Sequence, residues 1–223
     1  MIETVQATDY WTPKAADLQN VEHAARFYWE SVDDPQRFWV QEAVALVGAE
    51  SVLEVGCQCG PNLRALAQHW PSMRLDGVDV NRPAIEHGRR FAGDAGLSNI
   101  TFHEGALPGA LANWATGSVD VVLSVYCLAY INPHDIVDTV EALLRIARKG
   151  IILIEPLVTD KNPAEEVTAG DLGYVEWRHD YLAVLNILAG ELPDGRKLHA
   201  AILPRQRVDR LNGVLIATHQ RAA

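Results

Sequence analysis

The chain has 223 residues, 48% of them hydrophobic and 22% charged, with a formal net charge of −10. That balance excludes a disordered chain, a fibrous repeat and a disulfide-stapled miniature, and the length fits one globular domain. The negative charge argues against whole-molecule affinity for nucleic acid or an anionic membrane. Three cysteines, two of them in Cys57-Gln58-Cys59, make no even disulfide framework and point to a reducing compartment. Met1-Ile2-Glu3-Thr4 lacks a basic stretch followed by an apolar run, so no secretory signal is expected. The apolar runs fall short of the ~18 residues of a membrane helix. A soluble, cytoplasmic protein is expected.

In chain order, the first fifty residues are helical in pattern and rich in aromatics: Tyr10, Trp11, Phe27, Tyr28, Trp29, Phe38 and Trp39. Ala24, Ala25, Phe27 and Tyr28 recur at helical spacing. Asp33-Asp34-Pro35 reads as the start of a second helix, with Gly48 as its C-cap. Ser51–Val55 is a short apolar strand closed by Gly56. Pro61 then opens a helix through His69. Strands are expected at 74–80, 99–103, 119–125 and 150–155, with helices at 82–91 and 135–147 between them. Such alternation demands a mostly parallel sheet covered on both faces.

Residues 156–175 read as an irregular connection, and Trp177–Leu188 as a helix. Lys197–Leu203 and Leu211–Thr218 follow as strands joined by too short a link for a crossover helix, so they should be antiparallel. The expected fold is a doubly wound, seven-stranded α/β sandwich of three layers, with a C-terminal antiparallel pair and an N-terminal helical extension. One domain is expected over 1–223: a helical lid at 1–50, a cofactor-binding core at 51–155, and a substrate wall with closing strands at 156–223.

The sharpest feature is Leu53-Glu54-Val55-Gly56-Cys57-Gln58-Cys59-Gly60-Pro61-Asn62, a strand running through a glycine turn into a helix. In an open parallel sheet the ligand crevice lies at the carboxyl ends of the strands. Glycine lets backbone approach a ligand closely there. Gly77-Val78-Asp79 ends the next strand, where a carboxylate can accept from both hydroxyls of a ribose. Nucleoside binding is therefore expected. The loop is not the Gly-x-Gly-x-x-Gly of dinucleotide enzymes, and no Gly-Lys-Ser/Thr phosphate cradle occurs.

Through these motifs the chain resembles the class I S-adenosylmethionine-dependent methyltransferases. Val52–Cys57 is similar to the family's first motif, Gly77-Val78-Asp79 to its second, Val119–Ser124 to its fourth strand and Gly150–Glu155 to its fifth. The resemblance implies S-adenosyl-L-methionine as cofactor, with Glu54 near the methionine amino group and Asp79 on the ribose. Gly56 and its neighbours would border the methionine portion. The implied set also takes in Cys57, Gly60, Asn62, Val80, Ala106, Leu107 and Ser124. Two departures stand out. Gln58 occupies a position where the family commonly has glycine, so the loop should be stiffer there or make a side-chain contact. Ala106 stands where an acid often lies beside adenine, which leaves recognition to backbone and Leu107.

Methyl transfer asks the protein to align donor and acceptor, exclude water and, where necessary, take a proton. His179 is a candidate base in Glu176-Trp177-Arg178-His179-Asp180-Tyr181, with Asp180 or Glu176 to orient it. Arg178 could hold a substrate carboxylate or phosphate. The same segment also reads as a helical turn with exposed charges and Trp177 packed on the sheet. Tyr126 and Tyr130, flanking Cys127, would border the transfer site, with Tyr126 a catalytic candidate; aromatic packing explains them equally well. Glu155, Trp177, Arg178, Tyr181, Tyr130, Trp11 and Trp29 are the candidate substrate contacts. Phe27, Tyr28 and Trp29 are consecutive, so one helix face cannot bury all three. A lid carrying Tyr10, Trp11 and Trp29 could close over the acceptor. His69, His87, His134, His199 and His219 read as structural or solvated. No metal is expected, because Cys57-x-Cys59 lacks a second pair at zinc spacing.

The leading expectation is methyl transfer to an oxygen or nitrogen of a small-molecule metabolite. The alternatives are a protein or nucleic-acid methyltransferase, suggested by Arg196, Lys197, Arg205, Arg207, Arg210 and Arg221, and a non-catalytic cofactor-binding subunit. No membrane or nucleic-acid partner is expected, and a homodimer is left open.

Overall fold

The computed structural model describes Trp11 and residues 18–156, 158, 166–168, 175–189, 197–207 and 210–220. Helix α1 spans Leu18–Glu30 and α2 Pro35–Val47. The second starts and stops where its sequence dictates. Asp34 accepts the Gln36 N–H as N-cap, Pro35 takes the first turn, and Gly48 ends the helix in the left-handed region. Strand β1 (Ser51–Val55) is buried throughout and leads into α3 (Pro61–His69). Then come β2 (Arg74–Asp79), α4 (Arg82–Asp94, capped by the Asn81 side chain) and β3 (Ile100–Glu104). Strand β4 is Val119–Val125, α5 Ile136–Ile146 and β5 Ala147–Pro156.

The sheet order is β3-β2-β1-β4-β5-β9-β8, with β8 at Lys197–Arg207 and β9 at Arg210–Gln220. The first five strands run parallel, while β9 lies antiparallel to both β5 and β8. This is the seven-stranded, doubly wound arrangement expected from the pattern. Successive residues alternate between its two faces. Val52, Val121 and Ile152 pack with α1–α4, whereas Leu53, Val122 and Ile151 pack with α5 and α6 (Tyr181–Ala189).

The C-terminal third departs from its reading in two places: Glu166–Thr168, inside the stretch read as irregular, is a strand, and the helix expected from Trp177 starts later. Val175–Trp177 is not helical; it forms β7, antiparallel to β6 (Glu166–Thr168), with Glu166 opposite Trp177. Local propensity favoured a helix from Trp177, but pairing with β6 takes precedence, and α6 begins only at Tyr181. Tyr10, Arg196, Asp209 and Arg221 lie outside the described residues, as do the side chains of Lys197, Arg205, Arg207, Arg210 and His219. Among the described residues no helix is long and apolar enough to cross a membrane.

Candidate active site

The loop after β1 folds over the end of β2. The N–H groups of Gly56 and Cys57 both donate to the Val78 carbonyl, at 2.8 and 3.1 Å. Left-handed backbone at Gly56 (φ 69°), Gln58 (φ 52°) and Gly60 (φ 81°) makes the turn. For a residue with a Cβ that conformation costs about 1–2 kcal/mol, which explains why glycine suits position 58. Gln58 offsets the cost with one side-chain hydrogen bond, beside a backbone one that any residue would make. Its Oε1 accepts the Cys59 N–H at 2.6 Å, and its own N–H donates to Asp79 Oδ2 at 2.7 Å. The expected side-chain contact is made.

Asp79 also accepts the Asn81 N–H on Oδ1 at 2.8 Å. Burial raises its pKa, opposed by the N–H groups of Asn81, Gln58 and Val80. Val80 is half-buried just past the strand. Cys57 points inward, its Sγ lying where a Cβ on Gly77 would sit, and burial pushes its thiol well up. Gly60 is crowded by the Phe102 ring. Ala106 is exposed and Leu107 half-buried after β3.

Glu54 is 1% exposed on β1. Its Oε1 accepts from Asn62 Nδ2, while Oε2 is buried without a hydrogen-bond partner among the described residues. Burial pushes its pKa up to about 8; Asn62 and Arg37 pull it down, and Asp79 pushes it further up. Asn62 Oδ1 in turn accepts from Arg37 at 2.6 Å. Sequence reading passed over Arg37. The signal was its phase: it falls on the same helical stripe as Val40 and Val44, and all three are buried.

Beyond β4 a second set gathers. Tyr126 takes a left-handed φ of 53°, and its N–H donates to the Ile154 carbonyl at 3.0 Å. Glu155 has no exposed surface. It accepts from Ser124 Oγ (2.6 Å) and from the N–H groups of Cys127, Leu128 and Ala129. Burial raises its pKa to about 7 against those four donors. Glu155, offered above as a substrate contact, thus fastens the turn after β4, because its oxygens are already engaged and buried. Ser124 is taken up in the same network.

His179 is buried, and its Nε2 lies 3.0 Å from the Ile131 carbonyl oxygen. With a carbonyl as its partner, that nitrogen must carry the proton and donate. Burial lowers the imidazole pKa. In this geometry His179 clamps the loop after β4. The Tyr181 ring lies 5.7 Å from it, with a buried hydroxyl that has no hydrogen-bond partner among the described residues. Glu176 is buried, while Trp177 and Arg178 are half-buried. Trp11 meets Tyr130 edge-on at 5.2 Å, which brings this one aromatic from before α1 to the region. Trp29 instead joins the core, 5.6 Å from Phe91 and beneath the Arg64 guanidinium at 5.1 Å. Its neighbours Phe27 and Tyr28 stay exposed, as one helix face requires. Among the described residues no cluster of three or more His, Cys, Asp or Glu side chains could hold a metal.

Residues 52–150 match the family model of a methyltransferase domain. A search of the curated proteins found no match to this sequence. Solved structures are similar in fold. An O-methyltransferase family protein from Burkholderia thailandensis is 14% identical, with a TM-score of 0.69; the alignment covers 97% of this chain and 63% of that one. The chain thus spans under two thirds of that relative's length. Magnesium protoporphyrin IX methyltransferase from Synechocystis PCC 6803, solved with bound S-adenosylmethionine, is 16% identical (TM-score 0.59, covering 96% and 90%). A SAM-dependent methyltransferase from Aquifex aeolicus is also 16% identical (TM-score 0.54, covering 85% and 96%). Strand order, the glycine turn and the family match converge. Residues 52–150 thus match a methyltransferase domain, and the chain has the fold of the class I methyltransferases.

Proposed function

We propose that the chain is an S-adenosylmethionine-dependent methyltransferase that methylates an oxygen or nitrogen of a small-molecule metabolite, with Trp11 and Tyr130 closing the acceptor end. The meeting of Trp11 with Tyr130 carries this reading, since it sets an aromatic side chain from before the sheet against the turn after β4. Such closure suits an enclosed small acceptor and excludes water. Residues 1–50 then serve as the lid, 51–155 as the cofactor-binding core and 156–223 as the substrate wall with closing strands.

The residues present fit the donor molecule. Glu54 Oε2, buried and without a partner, suits an ammonium group. Asp79, an acceptor when ionised, suits ribose hydroxyls. Gly56 borders the methionine portion, and Cys57, Gly60, Asn62, Val80, Ala106, Leu107 and Ser124 complete the proposed surroundings. S-adenosylmethionine, when bound, supplies a methyl carbon activated by its sulfonium. The chain's own task is alignment: Glu54 and Asp79 fix the two ends of the donor, and Tyr126 stands at the transfer point. Trp177, Arg178 and Tyr181 form the acceptor wall. His179 would take the acceptor's proton only after releasing the Ile131 carbonyl.

The test uses S-adenosylmethionine labelled in the methyl group and an extract separated into small-molecule, protein and nucleic-acid fractions. Enzyme-dependent label is expected in the small-molecule fraction. Label confined to protein or nucleic acid overturns the proposal.

A further inference from the structure

Arg37 is nine-tenths buried on α2, which lies outside the glycine loop in sequence, and its guanidinium connects two parts of the molecule. One nitrogen donates to Asn62 Oδ1 at 2.6 Å and the other to Ser31 Oγ at 3.0 Å, in the link between α1 and α2. Guanidinium nitrogens only donate, so the Asn62 oxygen must face Arg37 and the Asn62 amide NH2 must face Glu54. Oε1 of Glu54 is thereby occupied, and Oε2 is left as its one buried oxygen without a partner. An asparagine without Arg37 could turn its amide over and set oxygen against oxygen.

We infer that Arg37 is a positioning residue for the cofactor's ammonium end: through Asn62 it orients the Glu54 carboxyl and leaves Oε2 to the ligand. The inference rests on the proposed place of Glu54 beside the ammonium. It makes the corner between α1 and α2 part of the cofactor site without contact between Arg37 and cofactor. The titratable groups around Glu54 are Arg37 from α2, Asp79 from β2, Cys57 and Cys59 from the loop, and Cys127 beyond β4. Burial raises the pKa of all three thiols, which keeps them neutral, and Asp79 opposes ionisation of Glu54. Arg37 is the cation of the set.

The test is calorimetric titration of the full chain with S-adenosylhomocysteine, which keeps the ammonium, from pH 6.5 to 9 in buffers of different ionisation enthalpy. Wild-type affinity should rise towards pH 8, with protons released on binding. Arg37→Met should weaken binding about tenfold at pH 7 and move the midpoint of that rise up by about one unit. Asn62→Ala should do the same, and the double variant should be no worse than either single one, since both break one connection. Arg37→Lys keeps the buried charge but loses the fork, and it should show a smaller shift in the same direction. It stands in should Arg37→Met fail to fold. A uniform loss of affinity without a moved midpoint would reduce Arg37 to packing and overturn the inference, as would wild-type binding that ignores pH. Absence of wild-type binding at every pH would instead remove the cofactor reading of Glu54.

Discussion

Gly56 and Cys127 are packed so tightly that a Cβ on the glycine would fall 2.4 Å from the cysteine Sγ and 2.5 Å from its Cβ. The loop after β1 and the turn after β4 therefore interlock through a missing side chain. Gly56→Ala adds this clash to a φ of 69° and should cost about 3 kcal/mol or more, read by denaturant unfolding. Cys127→Ala in the same chain should not rescue it, because the Cβ remains. An unchanged unfolding midpoint for Gly56→Ala would mean that the two loops separate freely.

Asp79→Ala should weaken S-adenosylhomocysteine binding by about 1–3 kcal/mol, as for a lost charged hydrogen bond. It should also lower the melting temperature without ligand, since the N–H groups of Gln58 and Asn81 lose their acceptor. Calorimetry and thermal melting separate the two effects. Full affinity in the variant would show that the ribose is held elsewhere.

Glu54 holds its proton to about pH 8 when folded, against an ordinary value of 4.5. Its contribution to stability is therefore complete below about 4.5 and is lost as pH rises through 8. Glu155, at about 7, acts in the same direction. Without ligand the protein should lose on the order of 2–4 kcal/mol between pH 5 and 8. Glu54→Gln should flatten that decline. Parallel wild-type and variant curves would show that Glu54 is ionised throughout.

Glu155→Gln places an amide NH2 among donors that need an acceptor. Destabilisation of about 1–3 kcal/mol is expected in urea unfolding, and less for Ser124→Ala, which removes a single donor. Equal stability of Glu155→Gln and wild type would contradict the fastening role given to this carboxylate.

His179 has a pKa below its ordinary 6.5, so its contribution is complete above 6.5 and is lost as pH falls through the lowered value. Melting curves at pH 5 and 7.5 should differ less for His179→Gln than for wild type. Once the acceptor is known, single-turnover rates of the variant decide its chemistry. A normal rate across pH leaves His179 as a clamp alone.

Helix α3 and strand β4 were legible to the residue, because Pro61 and a continuous apolar run are strong local signals. The positions of Glu54 and Asp79 at adjoining strand ends were legible for the same reason. What escaped was set by contacts distant in sequence. Glu155 was read as facing the acceptor, yet it collects three N–H groups from the turn beyond β4, an arrangement that exists only once β4 and β5 pair. Val175–Trp177 became a strand because Glu166–Thr168 lies alongside. Arg37 resembled a solvated helical charge, and only its phase with Val40 and Val44 distinguished it.

The sheet order also constrains synthesis. Strand β9, which follows β8 in the chain, is inserted between β8 and β5. Until residues beyond Arg210 leave the ribosome, β5 has a bare edge carrying Ile151-Ile152-Leu153-Ile154. An apolar edge of this kind invites pairing with another chain. A nascent or nicked product ending before Arg210 should therefore aggregate, because nothing in it covers that edge.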